Sequence, residues 1–269
     1  TLFPYTTLFR SECEGCDFRE ACIVRQVMYP RMAIQPDFMS DGDGSGYMIS
    51  CEDYRQVFRS GDSFDFYLTL FGNQITSFAI MLGAFYSLGQ VGIGRDKSGF
   101  EITSITNARG RDVLDGYNIY MENLGIESVR NYVDRRLKNI DTLADDISIR
   151  FLSPFSMKYR GEMLEEVCIE ALLEGIKRRL FILDCLEGID EDARKIAETA
   201  IPEIISQVCR VVSVPRYSNR HNTKMSWKGI EGNVKLKSVA PDVWPILLAG
   251  ELVHVGKNTS FGFGRYRIV

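Results

Sequence analysis

Apolar and polar positions alternate over Ser63–Phe71, which places Phe64, Phe66, Leu68 and Leu70 on one face of a strand. The period then lengthens. Phe78, Met81, Leu82, Phe85 and Leu88 recur at helical spacing and predict a helix over Thr76–Leu88. Gly89–Gly99 reads as a glycine-rich turn, and Phe100–Thr106 (FEITSIT) alternates again as a strand. Tyr47–Ser50 is a short apolar strand, and Ile147–Phe151 is another that stops at Pro154. Met163–Asp184 predicts a long helix carrying the basic run Lys177-Arg178-Arg179, and Asp190–Cys209 a second helix with acids at its start. Trp227–Val239 reads as a hairpin, Trp244–Glu251 as a short apolar helix and Arg265–Val269 as a closing strand. Arg109–Asp146 is charged and mixed, and is read as an insertion or linker. This order predicts an α+β protein of two tandem ferredoxin-like units, the first incomplete. The expected divisions are 12–108, 109–146 and 147–269.

Residues 1–11, TLFPYTTLFRS, read like the in-frame translation of a DNA-sequencing adapter. They are set apart from the fold as an artefact, and the first unit is expected to lack its opening strand and helix for that reason. The 269 residues are 45% hydrophobic and 25% charged, an ordinary globular mix that excludes disorder and collagen-like repeats. The most apolar stretch, around Ser77–Leu88, is too short to span a bilayer, so no membrane partner is expected. Seven irregularly spaced cysteines do not form a disulfide scaffold and point to a reducing, cytoplasmic setting.

Charge changes the picture. The net charge is −4, yet Ser206–Val269 holds ten Lys/Arg against three acids, a local +7 on a body of −11. A basic end on an acidic body is the footprint of a polyanion partner. A solvated basic surface without a partner is the plainer reading.

The sharpest motif is His254–Tyr266, HVGKNTSFGFGRY. Gly256, Gly262 and Gly264 free the backbone for close approach of a phosphate to N–H groups, while Lys257 and Arg265 supply charge. A tight structural turn is the alternative. No GK[ST] opens a following helix, so it is not a nucleotide P-loop.

This loop, with WPILLAGELVHVG before it, resembles the CRISPR repeat-processing endoribonucleases of the RAMP superfamily. So do residues 66–105 with the internal LGQVGIGR, ISIRFLSPFSMKYRG (147–161) and WKGIEGNVKL (227–236). The resemblance implies two ferredoxin-like (RAMP) domains with a cleft between them. The order of a short apolar helix, three glycines in nine residues and a terminal strand then predicts that His254–Arg265 lies at the surface of that cleft, its N–H groups unpaired and Lys257 and Arg265 pointing into it. It implies binding of CRISPR repeat RNA and cleavage of precursor crRNA without a metal cofactor. The 2′-hydroxyl attacks the adjacent phosphate, which requires a base, an acid and a cation. In many relatives the catalytic histidine lies in the first domain, where the adapter-like segment stands here.

His254 abuts the loop and is the candidate catalytic group; a satisfied structural histidine is its alternative. His221 lies in a polar basic loop and reads as exposed. Tyr217 and Tyr266 are candidates for stacking on bases or donating a proton. Gly256, Lys257, Gly262, Gly264, Arg265, Lys224 and Lys228 are the expected RNA-binding residues. Cys13-x2-Cys16-x5-Cys22 is a partial zinc signature, three thiolates that need a fourth ligand such as Cys51. Cys168, Cys185 and Cys209 read as core thiols. DGDGSGYMISCE (41–52) mimics a calcium loop, but Ile49 takes a usually polar position and Pro30 and Pro36 spoil the preceding helix. Three functions follow: a crRNA-processing enzyme, a non-catalytic RAMP subunit that binds guide RNA in a CRISPR effector complex, or a metal-stabilised interaction module.

Overall fold

A computed structural model describes residues 16–17, 21–39, 45–53, 55, 57–94, 96–116, 118–140, 146–189, 200–218 and 223–269. The adapter-like segment, Cys13, Asp41, Asp43 and His221 lie outside them. The chain divides into two compact units, residues 1–74 with 142–269, and residues 75–141.

The smaller unit holds helix α2 (Phe78–Val91), short strands β3 (Ile105–Thr106), β4 (Asp112–Asp115) and β5 (Asn118–Ile119), and helix α3 (Val129–Leu137). Helix α2 keeps the predicted apolar spacing, burying Phe78, Met81 and Leu82. Helix α3 starts at Ser128, whose hydroxyl accepts the Asn131 N–H at 3.1 Å. Two expectations change here. Of FEITSIT only Ile105–Thr106 pairs as strand, and the stretch read as a linker forms β4, β5 and α3. Alternation predicts a strand only where a partner edge exists to accept its hydrogen bonds.

Among the described residues, the larger unit has helix α1 (Ile23–Met28) and an antiparallel pair, β1 (Tyr47–Cys51) and β2 (Phe66–Leu70), registered Tyr47 to Leu70. It continues with β6 (Asp146–Phe155), the small pair β7 (Lys158–Tyr159) and β8 (Glu162–Met163), and helix α4 (Ile169–Glu187). Then come β9 (Glu203–Ser218), β10 (Thr223–Lys237), helix α5 (Trp244–Val253) and β11 (Tyr266–Ile268). The four long-range strands form an antiparallel sheet in the order β11-β6-β10-β9. With α4 and α5 between them, residues 146–268 form a β-α-β-β-α-β unit of ferredoxin-like order.

Two further expectations are corrected. The C-terminal part of the second predicted helix, from Glu203 to Cys209, is strand, because β9 pairs along its length with β10. The predicted hairpin over Trp227–Val239 is one strand of a longer hairpin whose other arm is β9. Strand β6 also runs through Pro154. Its register to β10 jumps from Gly232–Phe151 to Ile230–Phe155, a bulge that absorbs a residue lacking a ladder N–H.

One sheet face carries the core. Ile147, Ile149, Phe151, Ile230, Val234 and Leu236 are buried on it. Helix α4 adds Leu172, Leu173 and Ile176, and α5 adds Ile246, Leu247 and Leu248. The opposite face alternates to polar and charged side chains, among them Arg150, Arg210, Asn233, Lys235 and Lys237. Helix α4 closes at Gly188, in the left-handed region, whose N–H returns to the last-turn carbonyl of Cys185.

A Cβ on Gly250 of α5 meets the Tyr266 hydroxyl at 2.1 Å and Ile176 at 2.7 Å, so close helix packing requires glycine there. Gly250→Ala is expected to destabilise the protein by about 1–3 kcal/mol. Gly83→Ala, in α2 with open space around it, is expected to stabilise by about 0.5–1 kcal/mol. Urea denaturation midpoints of the two variants check this.

Candidate functional site

The glycine loop begins where α5 ends. His254 terminates the helix at φ 56°, in the left-handed region, with its N–H on the Gly250 carbonyl at 3.1 Å. From there the backbone docks on β6. The Val255 N–H donates to Gly264 at 3.2 Å, Lys257 to Ser156 at 2.7 Å, and Gly264 to Pro154 at 2.9 Å. The Arg265 N–H donates to the Ser153 hydroxyl at 2.9 Å, and the Arg265 carbonyl accepts the Leu152 N–H at 2.8 Å. Phe261, Gly262 and Phe263 donate to Asn258 and Thr259 within the loop. These N–H groups are consumed by the fold, contrary to the expectation of an unpaired cradle.

The glycines serve that docking. Gly256, Gly262 and Gly264 all have positive φ. A Cβ would meet the Ser156 carbonyl oxygen at 2.3 Å from Gly256 and that of Val255 at 1.8 Å from Gly264. From Gly262 it would meet the Ile49 carbonyl oxygen at 2.9 Å. The close approach these residues permit is to the protein's own backbone.

The predicted cations divide. Lys224, Lys228 and Lys257 are exposed, and among the described residues none of them carries an ion pair. Arg265 is engaged: it pairs with Glu52 beyond β1, and its guanidinium lies 5.1 Å from the Tyr67 ring. Tyr266 is buried, its hydroxyl donating to the Leu247 carbonyl at 2.5 Å, so it neither stacks nor donates to a ligand. Beside it Glu251, also buried, accepts the Ile268 N–H at 2.7 Å.

His254 is 5% exposed. It hydrogen-bonds the Phe263 backbone, and its Nδ1 is buried without a partner. Burial first, then the positive charges of Arg265 and Arg179, push its pKa down to about 3. The ring is neutral and packed, and no part of it meets solvent freely. Arg179 on α4 is likewise buried, its pKa lowered to about 10 by desolvation. It donates to the Ser45 carbonyl at 3.2 Å and lies 5.8 Å from Phe71.

Residues 149–266 match the family described as CRISPR-associated endoribonuclease Cas6. Residues 5–131 match AF_1859_N, described as an N-terminal domain, and that match opens inside the segment read as adapter-like. The chain is 23% identical over 210 residues to an uncharacterized protein of Archaeoglobus fulgidus, covering 75% of this chain and 65% of that relative. In fold it is similar to a chain of a partial Cas6-RT-Cas1–Cas2 complex (TM-score 0.55, 17% identity, 83% of this chain and 39% of that one). It is also similar to a Thermus thermophilus Cas6 in its product complex (TM-score 0.52, 12% identity, 84% and 82%). The chain thus spans less than two thirds of the curated relative and of the first of these structures.

The span matching Cas6 holds one cluster that no sequence motif announced. Arg216 on β9 lies 4.4 Å over the Trp227 ring of β10 and 5.2 Å from Phe261 of the glycine loop. Trp227 packs on Phe261 and Phe263 with ring centroids 5.0 and 5.6 Å apart. The signal was present in the aromatic of SFGFG, but the pairing of β9 with β10 was needed to bring Arg216 beside it. Of the cysteine trio, Cys13 lies outside the described residues, while Cys16 and Cys22 are half-buried free thiols. Cys51 is exposed, its thiol 3.2 Å from the Asp65 carbonyl oxygen. The calcium-like stretch pairs as strand from Tyr47 onward. Among the described residues, no helix is long and apolar enough to cross a membrane.

Because the folded pKa of His254 lies below its unfolded value of 6.5, the unfolded chain binds a proton that the folded chain refuses. The contribution is complete above about pH 6.5 and is lost as pH falls, with a slope approaching about 1.4 kcal/mol per pH unit. His254→Gln is expected to flatten the decline between about pH 6.5 and pH 5, where carboxylates contribute little. Denaturant midpoints across that interval measure it.

Proposed function

We propose that this protein processes CRISPR RNA: it binds repeat RNA and cuts precursor crRNA by metal-independent attack of a 2′-hydroxyl on the adjacent phosphate. The supporting observation is that the span matching Cas6, residues 149–266, is the span that folds as β-α-β-β-α-β with exposed lysines on its hairpin and terminal loop. Lys224, Lys228 and Lys257 neutralise RNA phosphates. Gly256, Gly262 and Gly264 shape the loop, and Arg265 faces the RNA after release from Glu52. The scaffold in this reading is a pair of ferredoxin-like RAMP domains. Zinc held by Cys13, Cys16, Cys22 and a fourth ligand braces the N-terminal region, and metal content of the purified protein tests that part.

A second reading is a non-catalytic subunit that binds guide RNA beside other CRISPR-associated proteins. The burial of His254 favours it, because a base must reach the 2′-hydroxyl within hydrogen-bond distance. One fold neighbour is a chain of a Cas6-RT-Cas1–Cas2 complex, in which Cas6 stands with other CRISPR-associated proteins.

Cleavage of a repeat RNA in EDTA separates the two. Product with a cyclic phosphate supports the enzyme; tight binding without a cut supports the subunit. If His254 is the catalytic group, His254→Ala slows cleavage while leaving affinity nearly unchanged; full activity in that variant places the base elsewhere. Replacing Lys224, Lys228 and Lys257 with Ala is expected to lower the slope of log affinity against log salt by roughly 2, as three single-strand phosphate contacts require. An unchanged slope removes these lysines from the interface.

A further inference from the structure

The Arg216, Trp227 and Phe261 cluster lies on the polar side of the sheet. Register places Met225 opposite Arg216 and Trp227 opposite Val214, so Arg216 and Trp227 are diagonal neighbours on one face of the hairpin. The same parity along β10 continues through Glu231 to Asn233, which is opposite Arg150 of β6. The aromatic cluster and the arginines of the open face therefore share one surface.

Its rings are not equally buried. Phe263 is buried and anchors the edge of Trp227 at 89°, whereas Phe261 is 54% exposed. Phe261 is tilted 54° to the indole, so its ring does not lie flat on Trp227. The guanidinium of Arg216 forms no ion pair among the described residues, although it stands over two rings. A loop that docks its backbone so tightly, yet presents an exposed phenyl ring beside a cation without an ion pair among the described residues, suits a planar ligand that carries negative charge.

We propose that Phe261, supported by Trp227 and Arg216, is the stacking subsite for one unpaired RNA base. The base lies on the exposed phenyl face. Arg216 meets the adjoining phosphate or the base edge, and the other arginines of the open face supply the field that favours a polyanion over an apolar peptide. This inference rests on the RNA-binding reading above and adds to it the point at which a base, as distinct from the backbone, is held.

The chain offers its own probe. Of its two tryptophans, Trp244 is 2% exposed in the core, so a fluorescence change on adding RNA reports Trp227. Single-stranded repeat RNA is expected to quench the wild-type emission. In a series of repeat RNAs, each with one abasic position, one position is expected to weaken wild-type binding by roughly 5- to 150-fold. Phe261→Ala is expected to weaken binding of intact RNA by a similar factor and to show no further loss at that abasic position. Phe261→Tyr is expected to restore both affinity and abasic sensitivity. Phe261 is exposed, so the variants are expected to keep the wild-type melting temperature.

Wild-type affinity in Phe261→Ala, or no abasic position to which that residue is coupled, overturns the stacking subsite while leaving RNA binding intact. Failure of the wild-type protein to bind any repeat RNA overturns the RNA-binding reading itself and the subsite with it.

Discussion

Backbone-to-backbone docking of the terminal loop onto β6 is the constraint on which the C-terminal unit depends. Lys257 and Gly264 donate into this contact, to Ser156 and Pro154, and the Arg265 carbonyl accepts from Leu152, with no room for a Cβ at Gly256 or Gly264. Once the loop is docked, the direction of α5 and the register of β11 follow, because His254 ends one and Tyr266 begins the other two residues after Gly264. Tyr266 and Glu251 then tie β11 back to α5 through the Leu247 carbonyl and the Ile268 N–H. A buried carboxylate and a buried phenol are tolerable here because each finds a backbone partner.

The same docking sorts the basic residues. Arg179, Arg265 and His254 are drawn inward, where burial or an acidic partner governs them. Lys224, Lys228 and Lys257 stay in water, where a polyanion has access. The inner face of the sheet packs against α4 and α5, and its outer face carries Arg150 and Arg210; Lys224 and Lys228 have the parity of Ile230 and Val234 on β10 and lie where the inner face is exposed. Any contact with nucleic acid on that outer face leaves the core undisturbed.

Helices α2 and α4 were legible in the residues, while α3 fell in the stretch read as a linker. The spacing of Phe78, Met81 and Leu82, and of Leu172, Leu173 and Ile176, is local information that survives without any partner. Strands β1 and β2 were legible for a similar reason, since one face of each is apolar. The β9–β10 hairpin was not. Glu203–Cys209 was read as the end of a helix, and only the partner strand supplies the hydrogen bonds that make it extended. Phe100–Ser104 shows the converse, an alternating segment left unpaired. Pro154 misled for want of the bulge that accommodates it.

The candidate site divides along the same line. The cations, the three glycines and the histidine were visible in the chain, and so was the resemblance that now agrees with the Cas6 match over 149–266. Whether a glycine's freedom serves a ligand or the protein's own carbonyls depends on what lies across from it, and Ser156 and Ile49 are about 100 and 200 residues away along the chain from Gly256 and Gly262, distances that sequence periodicity does not cross. Likewise the burial of His254 and the meeting of Arg216, Trp227 and Phe261 follow from long-range pairing. The sequence determined residue types, helical faces and the surplus of positive charge, because these are local or additive properties. The tertiary structure decided which of those groups face solvent and which face each other, because solvent exclusion and strand pairing arise only between segments distant in the chain.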